Sequence, residues 1–257
     1  MQTIDYLSPQ IRPDQPVEMR PVWRHLLFLH WVVDPAQLRR QLPPGLELDL
    51  FEGKAYVGLV PFTMAKVRPR WVPPWRRLTD FHEINVRTYV HLAGRDPGVW
   101  FFSLDAASAP AVVAARIWFK LPYYWARMSL RESGGRVDYH SERRWPHQLP
   151  ASCDVSYSPN GVPTPAVPGT LEHFLVERYF LYSYAHSQLF SGHIHHAPYE
   201  IQPAHLHTLS ENLLSAAGIE RGEEPPLVHY AREVRTEIFK LRPARSAGGE
   251  IENNPRR

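Results

Sequence analysis

Between Phe81 and Leu92 the chain reads FHEINVRTYVHL, and its residues sort onto two sides of an extended backbone without a break. His82, Ile84, Val86, Thr88, Val90 and Leu92 fall on one side. Phe81, Glu83, Asn85, Arg87, Tyr89 and His91 fall on the other. Successive side chains of a strand point to opposite faces, so a period of two held this long commits the chain to a sheet. A turn over 93–98 leads into a second extended run, 99–105, which makes the pair a hairpin.

The same signals recur along the chain. Residues 46–50 and 55–62 read as two strands around the turn Phe51-Glu52-Gly53-Lys54, a second hairpin. Residues 123–131 and 136–144, around Ser133-Gly134-Gly135, make a third. A short strand is expected at 153–157 and a last long strand at 228–241. Helices are marked by their caps: Asp34-Pro35 starts one that runs through Leu38 and Leu42 to Pro43-Pro44-Gly45, and Ser108, two residues before Pro110, starts one that runs to Phe119. Thr170 caps a third, with Leu171, Phe174, Leu175, Arg178 and Tyr179 at helical spacing, and 210–217 is a short fourth ending at Gly218. Residues 186–207 are polar and rich in His. No internal repeat and no linker between two cores is present. Many hairpins with few helices predict one mainly β domain, a β-rich α+β barrel with peripheral helices. Residues 1–20 read as an arm lying on it, 21–243 as the barrel, and 244–257 as a disordered tail.

Composition narrows the class. Twenty-six prolines without low-complexity runs suit a loop-rich β domain, and eight Trp, twelve Tyr and eleven Phe predict an aromatic core. The formal net charge of +3 makes no case for nucleic acid. A single cysteine, Cys153, allows no intrachain disulfide. With no basic n-region before an apolar stretch, and no apolar run near the ~18 residues of a membrane span, the expectation is a soluble, cytoplasmic protein with no membrane partner.

The stretch SAPAVVAARIWFKLPYYWARM, 108–128, resembles the acetoacetate decarboxylase family, in which a helix carrying an Arg is followed by an apolar turn, a Pro and a Lys-Lys pair. The matching positions here are Arg116, Pro122 and then Tyr123-Tyr124, so the Schiff-base lysines are missing. FHEINVRTYV resembles the family strand that presents a Glu to the cavity, and Glu83 falls on that position. Residues 23–64, 171–183 and 195–204 resemble an uncharacterised branch of the same superfamily, a domain of unknown function. The resemblance covers most of 20–243. It implies a single-domain, cone-shaped β-barrel with a buried active-site cavity.

If the Glu83 face lines that cavity, it offers a carboxylate, an amide, a guanidinium and a phenol along one wall. Glu83 would serve as acid or base, Arg87 as a bidentate carboxylate anchor, and Asn85 and Tyr89 as further contacts. The competing reading makes this face the solvated side of a sheet. Arg116 either reaches an anion in the cavity or pairs with a protein group. Tyr123 and Tyr124 alternate, so one of them faces inward, either to donate a hydrogen bond to an oxyanion or simply to fill space. Lys120 is the one lysine near the expected site, but it precedes the Pro and follows Arg116 by a turn. A Lys at a helix C-terminus is its simpler role.

His193 and His195 alternate on one face, but no carboxylate or Cys accompanies them at ligand spacing. A polar loop with incidental histidines is expected, with no metal and no cofactor. Arg178, beside Glu177, reaches the barrel mouth or forms an exposed ion pair. The basic loop 66–79, with Lys66, Arg68, Arg70, Arg76, Arg77, Trp71 and Trp75, reads as a lid or oligomer contact and not as a nucleic-acid platform. The expected function is binding of a small organic carboxylate or carbonyl compound, with acid–base chemistry if the chain is an enzyme at all. A lyase using Lys120 as nucleophile, and a non-catalytic interaction module, are the alternatives. Whether it forms a homo-oligomer stays open.

Overall fold

The computed structural model describes residues 4–67, 79–146 and 150–244. In chain order the elements begin β1 (Val17–Met19), β2 (Val22–Val33), α1 (Pro35–Arg39), β3 (Glu47–Leu48), β4 (Ala55–Ala65), β5 (Phe81–Leu92) and β6 (Arg95–Ala106). Next come α2 (Ala109–Trp118), β7 (Tyr123–Ser133), β8 (Arg136–Trp145), β9 (Ser152–Pro159), β10 (Thr164–Pro165) and α3 (Leu171–Val176). The chain continues through β11 (Phe180–Ala185), β12 (Gln188–His196), β13 (Glu200–Glu211), α4 (Leu213–Ala216), β14 (Leu227–Phe239) and β15 (Arg242–Pro243). The molecule is mainly β, as its alternation demands.

The strands pair into one sheet that closes on itself twice. One ring of seven strands runs β5–β6–β11–β12–β14–β2–β4 and back to β5. A second ring of nine runs β6–β7–β8–β9–β13–β14–β2–β4–β5. The two share β14, β2, β4, β5 and β6, giving a roughly barrel-shaped body with two cores. Alternate residues of each shared strand feed the two cores. On β2, Leu26 and Phe28 join one and Leu27, Leu29 and Trp31 the other; on β5, Phe81 and Tyr89 join one and Ile84 and Val86 the other. Neither face of β5 is solvated, so the polar face read from the sequence lies inside the molecule.

Several local expectations change. Residues 46–50 and 55–62 do not form a ladder. β4 already has β2 and β5 on its two edges, so β3 pairs with the edge of β5, Leu48 opposite Val90, and only a Phe51–Lys54 bridge closes the turn. α1 is capped by the Asp34 side chain as expected, yet stops at Arg39. The prolines at 43 and 44 disfavour further helix, and Leu42 packs beside Leu46 instead. α3 stops at Val176, because Arg178 turns inward to a fully buried ion pair with Asp49, Nη1 to Oδ2 2.6 Å.

The His-rich run is not a loop but the strands β12 and β13. His193 stacks on Phe180 and bonds the Pro9 carbonyl, and His196 stacks on Tyr179, so these rings are packed side chains. The N-terminal residues lie on the body: β1 pairs with β14, Arg12 and Arg20 both bond Glu237, and Tyr6 donates to Asp49. The basic loop's Arg68, Arg70, Trp71, Trp75, Arg76 and Arg77, and residues 245–257, lie outside the described residues. No described helix is long and apolar enough to cross a membrane.

Candidate functional site

The seven-stranded ring holds a cavity of about 460 Å³. β5 supplies Phe81, Glu83, Asn85 and Arg87 to its wall, in the register that alternation sets. Helix α2 covers one side. Ser108 accepts a bond from the Ala111 amide at its first turn, and the helix presents Ala111, Ala114, Ala115 and Trp118 to the cavity. That spacing is one helical stripe, and its three alanines leave the volume open. Tyr123, the first residue of β7, joins the wall beside β6, opposite Leu104 in the β6–β7 pairing.

Glu83 is 1% exposed, and burial pushes its carboxyl up to about 8. A hydrogen bond from Tyr123 works against this shift, and the nearby Asp105 carboxylate adds to it. The Tyr123 hydroxyl donates to Glu83 Oε2 at 2.9 Å. Burial, together with Glu83, holds the phenol well above its usual range, so it keeps its proton. Tyr139 fixes the backbone here by donating to the Glu83 carbonyl at 2.9 Å. At neutral pH the pair is thus a protonated carboxyl beside a phenol, two groups that can hold and move a proton in an apolar surround.

Asn85 is buried, and its Oδ1 has no partner among the described residues. Arg87 has no carboxylate within ion-pair distance among them. Its Nη2 makes one long bond, 3.3 Å, to the Leu175 carbonyl, and its buried Nε makes none. Its guanidinium carbon lies 5.6 Å from the Phe28 ring centre and 5.8 Å from that of Tyr89. Buried guanidinium groups are ordinarily paired, so this one has donors to spare for an anion.

Three of the sequence candidates lie elsewhere. Tyr89 is not on the cavity wall. Its hydroxyl donates to the Leu175 carbonyl at 2.7 Å and pairs with His30 Nε2 at 2.6 Å, so both bonding roles are spent inside the core. Arg116 points to the outside of α2, donates to the Tyr123 carbonyl at 2.6 Å and lies over Trp145. It anchors the start of β7 without touching the cavity. Lys120 lies with Arg116 in an outer groove that also takes in Trp100, Ile117 and His186, and its Nζ sits 4.8 Å from the Phe190 ring centre. Helical spacing alone did not reveal which side of α2 faces the sheet. Tyr124 alternates away from Tyr123, and Arg143 stacks on its ring.

The sequence reading missed Asp105 and Arg143. Arg143 forks onto Asp105 with bonds of 2.9 and 2.7 Å, and both are buried behind Glu83. A charged residue ending the apolar run 99–105 was the available signal; its partner, far along the chain, gave none. Among the described residues no three His, Cys, Asp or Glu side chains are grouped to hold a metal ion.

Known proteins share this architecture. The acetoacetate decarboxylase of Legionella pneumophila superposes with a TM-score of 0.61 at 14% identity, covering 92% of this chain and 91% of that one. The enduracididine biosynthesis enzyme MppR, solved complexed with pyruvate, superposes with a TM-score of 0.59 at 13% identity, covering 91% and 92%. Identities this low show the fold alone, and the fold is acetoacetate-decarboxylase-like. The uncharacterized protein YqjF of Bacillus subtilis (strain 168) is 37% identical over 230 residues, which are 90% of this chain and 94% of that one. A family model described as "Uncharacterized conserved protein" matches residues 20–235, and the chain belongs to that family, DUF2071.

Proposed function

We propose that this chain binds a small organic carboxylate or carbonyl compound in the cavity of its seven-stranded ring. Arg87 anchors the carboxylate, Asn85 contributes an amide contact, and the Glu83–Tyr123 pair addresses a carbonyl oxygen. The observation that carries the reading is a proton-holding carboxyl and a guanidinium with no carboxylate partner among the described residues, both on one wall. The pyruvate in the MppR structure shows a neighbour of the same fold with a keto acid bound. Catalysis, where it occurs, is acid–base: protonated Glu83 gives its proton to the carbonyl oxygen and Tyr123 steadies the carboxylate left behind.

Schiff-base chemistry finds no lysine amine among the described residues that line this cavity. The four lysines are Lys54, Lys66, Lys120 and Lys240, and none lines it. Incubation with acetoacetate and borohydride is expected to leave the protein unmodified, and a reduced adduct on Lys120 would overturn this part of the account. For binding, calorimetry with a monocarboxylate and its amide separates the charge from the rest. The acid should bind more tightly than the amide, and Arg87→Met should cost the acid roughly 10- to 100-fold, the worth of a charged hydrogen bond. Equal binding of acid and amide would sink the carboxylate reading.

A further inference from the structure

The geometry points to a narrower ligand class: an elongated monocarboxylate with a largely apolar body, too long to be a three- or four-carbon keto acid. The inference rests on the carboxylate reading above and adds the shape of the ligand to it. Two observations carry it. The first is the distance between the polar groups. Glu83 and Arg87 are four residues apart on one strand face, so their backbones stand about 13 Å apart at ~3.3 Å per residue. The two side chains hold different partners, and Arg87 is not among the charges that act on the Glu83 carboxyl. Glu83 bonds to Tyr123, whereas the Arg87 guanidinium lies 5.6 Å from the Phe28 ring centre and 5.8 Å from that of Tyr89 and bonds the Leu175 carbonyl that Tyr89 also holds. A ligand whose carboxylate meets Arg87 reaches Glu83 only with a spacer between its two oxygen functions. Pyruvate has none, and acetoacetate has a single methylene, far short of the separation.

The second observation is what lines the space between. Trp23, Leu26, Val60, Phe62, Leu104 and Leu181 face the cavity, with Asn85 the polar side chain of β5 between its two ends. A volume of about 460 Å³ falls in the range of pockets that hold drug-sized molecules, ~300–1,000 Å³. A three-carbon acid would leave most of this apolar wall facing water, whereas a straight or aryl-terminated chain covers it and gains the burial free energy.

Isothermal titration of the purified full chain with acetate, butyrate, hexanoate, octanoate and decanoate, each kept below its micelle concentration, tests the inference. Affinity is expected to rise about fourfold per added methylene, the fold-change given by about 0.8 kcal/mol per buried CH2. A series that is flat or falls beyond butyrate overturns the elongated class while leaving the carboxylate reading intact. Octanamide binding as tightly as octanoate overturns the carboxylate reading and this inference with it. Ala115→Phe locates the chain. It puts a ring into the cavity from α2, and the affinity maximum should move to a shorter acid. An unchanged length profile in a folded Ala115→Phe protein would show that the acids bind elsewhere. If that variant does not fold, Ala114→Leu supplies the same readout, and the wild-type series decides the length question alone.

Discussion

Glu83 shows how a single residue's environment sets its chemistry. Its ordinary pKa of 4.5 belongs to water, and inside the ring burial carries it to about 8. Below about pH 4.5 the carboxyl is neutral in both folded and unfolded chains. Between 4.5 and 8 the unfolded chain releases the proton while the folded one keeps it, so folding stability falls as pH rises through this window and levels off above it. Glu83→Gln removes the titration. Urea unfolding at pH 5 and pH 9 should therefore show the wild type losing more stability than Glu83→Gln, by an amount on the order of a few kcal/mol. Parallel pH profiles would show that Glu83 is not held protonated. The sequence made Glu83, Asn85 and Arg87 legible because alternation places them on one face. It left Tyr89 and Arg116 ambiguous because whether a polar tip meets a ligand or a backbone carbonyl depends on residues far away, Leu175 for one and Tyr123 for the other.

At the scale of elements, pairing mattered more than secondary structure. The extent of β5, the caps of α1 and α2 and the hairpin β7–β8 follow from local signals: a period of two, Asp34, Ser108 and Gly134-Gly135. Partners do not follow, because they depend on which edges are free. β3 was expected against β4 and lies against β5. The polar β12 and β13 were expected as loop, since their histidines hide the alternation, and they are strands because β11, β14 and β9 offer them edges. The seven-stranded ring closes at the parallel contact of β6 with β11, where Gly98 meets Phe180. A Cβ at Gly98 would stand 2.5 Å from the Phe180 carbonyl oxygen, so the missing side chain is what lets the strands meet. Gly98→Ala should cost roughly 1–3 kcal/mol, as overpacking does. It should also speed amide exchange at Leu181 and Tyr182 ahead of the rest of the sheet. Unchanged melting and exchange would mean that the ring does not depend on this contact.

The whole molecule explains why a polar strand face could be buried at all. Two rings share β14, β2, β4, β5 and β6, so each shared strand has a core on either side, and a face that would be solvated in a single-layer sheet becomes a cavity wall. The rest of the described lining is largely apolar, and burial in it keeps the proton on Glu83, while Arg87 has no counter-charge among the described residues. The lysine-bearing outer groove is a separate place, on the far side of α2, with Arg116 and Lys120 as its cations. These two locations divide the readings of the chain. A crystal structure of the protein with decanoate bound decides between them. The carboxylate is predicted inside the seven-stranded ring, within hydrogen-bond distance of the Arg87 guanidinium, with its chain running along β5 towards Glu83 and Tyr123. A carboxylate held instead by Arg116 and Lys120 in the outer groove, with the ring cavity empty, would contradict the account.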